Sequence, residues 1–468
     1  MSESYTTHEV AQMADIHRDT LLRWLREGRI PEPSRDRNGW RAFTPDEAQN
    51  IVQYAESGVQ PASAQSKSLK DAAVAYVAMP LTDLRGLDWD FADAKTGYLT
   101  HSLHPYPAKY IPQIPNALIQ ELSSVGDTVL DPFCGSGTTL VEALLLKRNA
   151  IGVDANPLAC MIARAKTARL DEAGATVLHH LAQRVAELSL RYTVGMLPLF
   201  PNLDHAASTA LRPDFDGIDF WFDAHVIDEL SELKALCLEI PNATARDVAL
   251  TVFSSMIVAV SRQDSDTRYV RRAKQIKPGE TIQRFARALD AAILRVGEFT
   301  DLIEPRFRCE IHHANVLDAP PIGAVDLVVC SPPYPNAYSY HLYHRTRMLW
   351  LDMDQPAFKQ AEIGSHRKYS KKGSGAADVN TFRTELGRIL HWLRGLLRPG
   401  KYACFVVGDS TLKGETIHND QVLAEAAAQC NYSVEANLTR RMQDSRKSFN
   451  PVIGKVKDEH IVILKNRG

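Results

Sequence analysis

The sequence predicts an α/β protein with a mostly parallel sheet, helices on both sheet faces, a helical insertion and a small separate N-terminal domain. Three observations predict it. Seven short apolar runs, near 127–131, 149–154, 309–314, 325–330, 402–407, 432–438 and 460–465, read as strands, and most alternate with helical patterns. Two of these strands run into turns suited to ligand contact, one rich in glycine and one in proline. Residues 5 to about 55 have a helix–turn–helix rhythm of their own. At 468 residues the chain is long enough for about three domains. The boundaries expected are 1–56 for the N-terminal domain, 57–95 for a linker, 96–170 and 306–468 for two parts of a core, and 171–305 for the insertion.

The N-terminal stretch opens on Thr6, Thr7 and Glu9, a candidate capping box, followed by the apolar face of Val10, Ala11 and Met13. Residues 15–19 read as a turn, and 20–28 as a second amphipathic helix closed by Gly28. Helix, short turn, helix is a DNA-reading unit. Residues 35–41 read as a hairpin wing and 44–48 as the start of another helix. The whole resembles the winged helix-turn-helix head of MerR-type regulators. That resemblance implies that His17, Arg18, Arg23 and Arg41 face DNA. A small module that docks on protein is the alternative. Residues 57–68, rich in Gly, Pro, Ser, Ala and Gln, read as a flexible linker.

The glycine turn lies in Val129-Leu130-Asp131-Pro132-Phe133-Cys134-Gly135-Ser136-Gly137-Thr138-Thr139, which reads as strand, bend and helix start. Thr138 and Thr139 are candidate caps of that helix. The glycines allow close approach of backbone to a ligand. A second strand follows and ends in Asp154, a carboxylate placed to bind both hydroxyls of a ribose. A dinucleotide fold shares these features, but Leu140 stands where the third glycine of that fingerprint would fall. Asp-Pro-Phe-x-Gly-Ser-Gly-Thr-Thr instead resembles the S-adenosylmethionine motif of amino-methyltransferases. The resemblance implies a cofactor site built from Asp131, Phe133, Gly135, Gly137, Thr138 and Asp154. It also matches His104-Pro105-Tyr106-Pro107-Ala108-Lys109-Tyr110 to the segment that lies against the methionine carboxylate, with Lys109 as the cation. Asn315, after the third strand, takes the place where the family often has an Asp against the adenine ring.

The proline turn is Ser331-Pro332-Pro333-Tyr334, directly after the apolar run 325–330. Prolines fix φ and donate no hydrogen bond, so the turn is stiff and its carbonyls are aimed acceptors. Ser331 adds an acceptor and Tyr334 a ring face for stacking. Acceptors beside a stacking face suit a planar heterocycle with an exocyclic amino group. The turn resembles the catalytic motif of the amino-methylating DNA methyltransferases. Ser at its first position goes mostly with cytosine N4 in that family, and Asp or Asn mostly with adenine N6. The resemblance therefore implies a Rossmann-like seven-stranded methyltransferase sheet, S-adenosylmethionine as cofactor, double-stranded DNA as substrate, and N4 methylation of an extruded cytosine. Restriction activity, if any, belongs to a separate nuclease. Adenine N6 methylation, RNA amino-methylation, and a DNA-binding regulator with an inactive methyltransferase body are the alternatives.

Composition agrees with a soluble globular protein: 45% hydrophobic and 24% charged. No run of about 18 continuous apolar residues suggests a membrane span. The first 30 residues lack a secretory pattern, and the seven cysteines form no Cys-x-x-Cys pair. A cytoplasmic protein without a metal or a disulfide frame is expected. No Pro-Cys dipeptide occurs, which disfavours cytosine C5 chemistry with its cysteine nucleophile. A net charge of −2 means that nucleic-acid affinity must come from local patches. Arg262 and Arg268 belong to one such patch, Arg367 and Lys368 to another, and Arg440, Arg441, Arg446 and Lys447 form a third. The segment 260–269 reads as wrapping DNA or closing over the site, with a buried structural loop as the alternative.

Overall fold

The computed structural model describes residues 5, 7–14, 16, 21, 24–25, 30, 33–35, 41–57, 84–194, 211–335, 339–365, 369, 377–412, 414–441 and 458–468. The chain divides into two compact units, Met1–Met79 and Pro80–Gly468. His17, Arg18, Arg23, Arg367 and Lys368 lie outside the described residues, as do 58–83 of the expected linker.

In the first unit, α1 (Thr7–Met13) and α2 (Pro45–Ser57) flank a two-stranded wing of β1 (Ser34–Arg35) and β2 (Arg41–Ala42). Arg41 lies on β2, where it pairs with Arg35. Its core is Val10, Ala11, Leu21, Leu25, Ile30, Phe43, Ala48 and Ile51. The start of α2 is fixed by a reciprocal capping box: Thr44 N donates to Glu47 Oε2 (2.8 Å), and Glu47 N donates to Thr44 Oγ1 (3.3 Å).

The second unit begins earlier than composition suggests. Trp89 is buried, its indole donates to the Leu84 carbonyl, and Asp90 accepts from the Arg441 amide. Its sheet contains β3 (Thr128–Asp131), β4 (Asn149–Asp154), β7 (Cys309–His313), β8 (Val325–Cys330), β9 (Leu397–Gly408), β12 (Tyr432–Arg441) and β13 (Asp458–Asn466). The order is β12-β13-β9-β8-β3-β4-β7, and only β13 runs antiparallel to its neighbours. All seven expected strands are in it. β8 is buried along its whole length, which explains its apolar run; its one charged residue, Asp326, accepts from Thr128 N and pairs with Arg398.

From β3 the chain steps to β4 and then β7 on one side, and returns through β8 and β9 on the other. The strand order therefore reverses between β3 and β8. Crevices at the carboxyl ends of strands at such a switch point are where open α/β sheets bind ligands. The glycine bend leaves β3 and the proline turn leaves β8, on adjacent parallel strands. Hydrogen-bonded strands lie about 4.8 Å apart.

Helices α3 (Gln113–Leu122), α4 (Thr138–Leu145) and α5 (Pro157–Lys166) cover the sheet near the glycine bend. Gly152 on β4 makes the close helix–strand approach possible. A Cβ there would stand 2.6 Å from Leu140 Cδ1 and 2.9 Å from Cys134 Sγ. The missing third glycine at Leu140 is thus matched by a glycine on the neighbouring strand.

The insertion between β4 and β7 holds α6 (Glu172–Val194), α7 (Ile218–Trp221), α8 (Ala224–Leu238), α9 (Ala243–Val260), the hairpin β5 (Gln263–Ser265) and β6 (Arg268–Arg271), and α10 (Glu280–Leu302). Its core includes Leu178, Val185, Ile227, Leu230, Val252, Phe253, Ile257, Phe285 and Leu289. α9 is long and apolar enough to cross a membrane, yet Val252, Phe253 and Ile257 place it in that core. After the proline turn come α11 (Tyr340–Tyr343), α12 (Arg345–Trp350) and α13 (Gln355–Ala361). α14 (Val379–Leu396) leads into β9, β10 (Ser410–Leu412) pairs with β11 (Glu415–Ile417), and α15 (Asn419–Gln429) leads into β12.

Candidate active site

The bend after β3 is held by a buried carboxylate. Asp131 is 1% exposed, and Phe133 N donates to its Oδ1 at 3.0 Å. The Thr139 hydroxyl donates to its Oδ2 at 2.5 Å, and Tyr110 lies against both oxygens of that pair. Burial raises the Asp131 pKa to about 7, against the opposing pull of these hydrogen bonds. Asp131 shapes the loop from inside. Gly135 (φ +48°) and Gly137 (φ +82°) both take the left-handed region. At Gly137 a Cβ would also stand 3.1 Å from Ala163 Cβ on α5.

Gly137, not a threonine, is the N-cap of α4, and no side chain caps it. Thr138 and Thr139 are both buried, and the Thr139 hydroxyl turns inward to Asp131.

Asp154 closes the other side of the loop. Its Oδ2 accepts from Gly135 N and its Oδ1 from Asn156 N, each at 2.8 Å. Each oxygen keeps a lone pair for a further donor. Burial raises its pKa to about 6, while the two backbone bonds pull the other way. Gly135 also leaves room under Tyr106, whose Cε1 would lie 3.5 Å from a Cβ at that position. A carboxylate with spare acceptors beside an open glycine backbone fits the ribose diol of S-adenosylmethionine. Asn315 caps the turn after β7 by accepting from Leu317 N (3.0 Å), which leaves its carbonyl one lone pair.

Lys109 Nζ donates to the His101 carbonyl at 2.8 Å, and burial lowers its pKa. His101 belongs to a buried cluster that sequence reasoning missed. Glu142 on α4, fully buried, accepts from Tyr98 OH (2.5 Å), His101 Nε2 (2.7 Å) and Asn116 Nδ2 (2.7 Å). This ties the segment before α3 to the helix of the glycine bend. Lys166, also fully buried, donates to Ser136 Oγ (3.1 Å) within the bend, and burial holds its pKa well below the usual lysine value. Such groups leave a weak signal in sequence: one Glu among apolar residues of a helix, and one Lys at a helix end.

Across the switch point, Ser331 donates its hydroxyl proton to the Val406 carbonyl on β9 at 3.0 Å. That fixes the hydroxyl and leaves its oxygen an acceptor. Pro332 is buried; Pro333 and Tyr334 are partly buried. Phe133 from the glycine bend and Tyr334 from the proline turn pack against the same core. Gly364 backs the turn with φ +72°, and a Cβ there would stand 2.8 Å from the Tyr334 carbonyl oxygen. Sequence reasoning passed over it too.

Tyr106 joins the parts. Its ring stacks on Tyr340 (5.7 Å between centroids) and on His344 (5.0 Å), both on the far side of the proline turn in sequence. Its hydroxyl accepts from Asn156 Nδ2 at 3.4 Å. His344 is fully buried, and burial drives its pKa well below the ordinary histidine value. Met348 and Trp350 are buried, so the aromatic run after the turn supplies core as well as ring faces.

Of the basic residues expected at DNA, Arg262 is already engaged. Its guanidinium pairs with Asp223 and donates to the Asp219 (2.8 Å) and Phe220 (3.2 Å) carbonyls. Arg440 is likewise buried against Glu459 at 2.8 Å. Arg268 is 55% exposed, with Asp264 at 3.5 Å. All seven cysteines are free, and Cys134 and Cys330 are buried packing residues. Among the described residues, Asp409, His418 and Asp420 are a group close enough to share an ion.

The glycine bend, the acid after β4 and the sheet order define an S-adenosylmethionine-dependent methyltransferase. Residues 43–165 match the family model described as DNA methylase, and residues 6–43 match that of the MerR family regulatory protein. The chain thus resembles the amino-methylating (N4/N6) DNA methylases over the stretch that holds the glycine bend, and MerR-type regulators at its N-terminal end. It is similar to the Type II methyltransferase M.MvaI of Kocuria varians, 25% identical over 432 residues, 80% of this chain and 93% of that protein. M.BsoBI of Geobacillus stearothermophilus is 22% identical over 293 residues, 56% of this chain and 54% of its own length. The solved structure of TrmN from Thermus thermophilus overlays 76% of this chain and 49% of its own at 10% identity and a TM-score of 0.30. That overlay is too loose to bear on fold or function.

Proposed function

We propose that the protein transfers a methyl group to the exocyclic N4 amino group of cytosine in a specific DNA sequence. Ser331 carries this reading. Its hydroxyl proton is committed to Val406, so its oxygen can accept one amino hydrogen of the target base. The Pro332 carbonyl accepts the other, and the Tyr334 ring stacks on the base after it leaves the duplex. Holding both hydrogens draws the amino nitrogen out of conjugation with the ring and exposes its lone pair. S-adenosylmethionine, when bound, supplies a methyl group on a sulfonium, an electrophile with a good leaving group. The chain's own contribution is positioning; the amino group becomes acidic as the nitrogen–carbon bond forms and sheds one proton to solvent, so no strong base is required. Asp154 holds the ribose diol, Lys109 the methionine carboxylate, and Asn315 the adenine amino group.

The MerR-type head supports DNA rather than RNA as substrate, with His17, Arg18, Arg23, Arg41, Arg367 and Lys368 as further contacts. Relatives titled Type II methyltransferases suggest a separate nuclease of the same specificity as partner. Nucleoside mass spectrometry of DNA from cells expressing the protein tests the base assignment. N4-methylcytosine is expected; N6-methyladenine in its place would overturn it.

Asp154 gives a pH dependence. Its pKa in the folded protein, about 6, lies above the free value of 3.8, so the neutral form persists to about pH 6. The ionised carboxylate is the better diol acceptor. Affinity for S-adenosylhomocysteine is therefore expected to rise through pH 6 and to fall towards about tenfold per unit below it. Calorimetric titration across pH 5–8 checks this, and Asp154→Asn should bind more weakly with a flat profile.

A further inference from the structure

We propose that the β5–β6 hairpin of the helical insertion is the surface that grips duplex DNA beside the proline turn. The inference rests on the reaction assigned above for its choice of partner.

The root of the hairpin is fastened to the elements that follow the catalytic turn. Gln263 is fully buried; its Nε2 donates to the Tyr343 carbonyl (3.2 Å) and its Oε1 accepts from Thr346 Oγ1 (2.9 Å). Arg347 on α12, also fully buried, pairs with Asp266 at the hairpin tip and donates through Nε to the Ser254 carbonyl at 2.9 Å. The Arg347 guanidinium is buried while the Asp266 side chain is 33% exposed, and together with the Gln263 contacts this pairing holds the hairpin in place relative to α11 and α12. Tyr340 of α11 in turn stacks on Tyr106 over the glycine bend. The hairpin is therefore registered to both halves of the active site.

Its outer side has the chemistry of a nucleic-acid contact. Of the six cations between residues 262 and 277, Arg262 pairs with Asp223 and Lys274 donates to the Val258 carbonyl, which leaves Arg268, Arg271, Arg272 and Lys277 exposed beside two carboxylates, in a chain whose net charge is −2. Asp266 is held by Arg347, and Asp264 is shared between Arg268 (3.5 Å) and Arg272 (3.4 Å), whose side chains are 55% and 74% exposed. Val270 (52%) is an exposed apolar residue on β6, and Phe220 (51%) is another, with the Arg271 guanidinium 4.7 Å over its ring. Cations around an exposed ring and a β-branched side chain suit phosphates flanking sugars and base edges, and a two-stranded ribbon fits the major groove.

The test is fluorescence anisotropy of a mixed-sequence duplex with the full chain and with Arg268→Ala/Arg272→Ala, over a salt series. The variant is expected to lose about tenfold in affinity near physiological salt and to flatten the log–log salt slope by roughly two. Affinity for S-adenosylhomocysteine, which reports an intact fold, should not change. Benzoylphenylalanine introduced at Val270 should crosslink to the duplex. An unchanged salt slope with no crosslink overturns the proposal, and is the result that a surface for an acidic protein would give. The reaction assignment fails separately: the hairpin grips DNA as described, yet the wild-type protein methylates no cytosine.

Discussion

Ser331→Ala is expected to lower kcat for DNA methylation about a hundredfold, the usual scale for removing one hydrogen-bonding group aimed at a reacting centre. Affinity for S-adenosylhomocysteine should stay within about twofold, since none of the residues proposed to hold the cofactor lies on the proline turn. The substitution leaves the Val406 carbonyl without the Ser331 donor, but that carbonyl belongs to β9 in the sheet interior. The structural cost is about 1 kcal/mol, too small to unfold the protein. The lost function is the acceptor. Tyr334→Ala removes the stacking face instead, worth about 1–3 kcal/mol per base, and its effect should appear in both kcat and KM. Single-turnover methylation separates the two: the serine variant slows the chemical step, and the tyrosine variant also weakens capture of the extruded base.

Gly364→Ala should be nearly as damaging from outside the motif. Two penalties coincide there. The residue sits at φ +72°, where any side chain is strained, and its Cβ would stand 2.8 Å from the Tyr334 carbonyl oxygen and 3.2 Å from the Pro333 carbonyl carbon. Those atoms are backbone of a proline turn and cannot rotate away. The turn must shift, and a displacement near 1 Å at a reacting centre costs about a hundredfold in rate. Cofactor affinity should again be spared. A conventional loop role predicts a loss of stability with kcat preserved, so kcat and the melting temperature measured on the same preparation distinguish the two.

The strands and both turns were legible because each is a local pattern. An apolar run ending in Ser-Pro-Pro-Tyr, and another ending in a glycine bend, need no distant residue to be recognised. Their adjacency followed only from the sheet order, which puts β8 beside β3 although some 195 residues separate them. What escaped was long-range or inward-facing. Glu142 serves Tyr98, His101 and Asn116, and nothing in a helix of apolar residues announces those partners. Thr139 reads as a cap by position, yet Gly137 takes the cap and frees the threonine to clamp Asp131. Arg262 reads as a free cation in a basic run, but Asp223, 39 residues earlier, claims it. A charge is visible in sequence; its partner is not. Gly364 lies 30 residues beyond Tyr334, and only the folded backbone shows why that position excludes a side chain.

A single pair of measurements bears on the division of labour between the two bends. Calorimetric S-adenosylhomocysteine binding and radiolabelled methyl transfer to DNA are recorded for Asp154→Asn and for Ser331→Ala. Cofactor binding should weaken in the first variant and survive in the second, while methyl transfer falls in both. If the serine variant loses its grip on S-adenosylhomocysteine, or methylates DNA at the wild-type rate, the proline turn is not where the target base is handled.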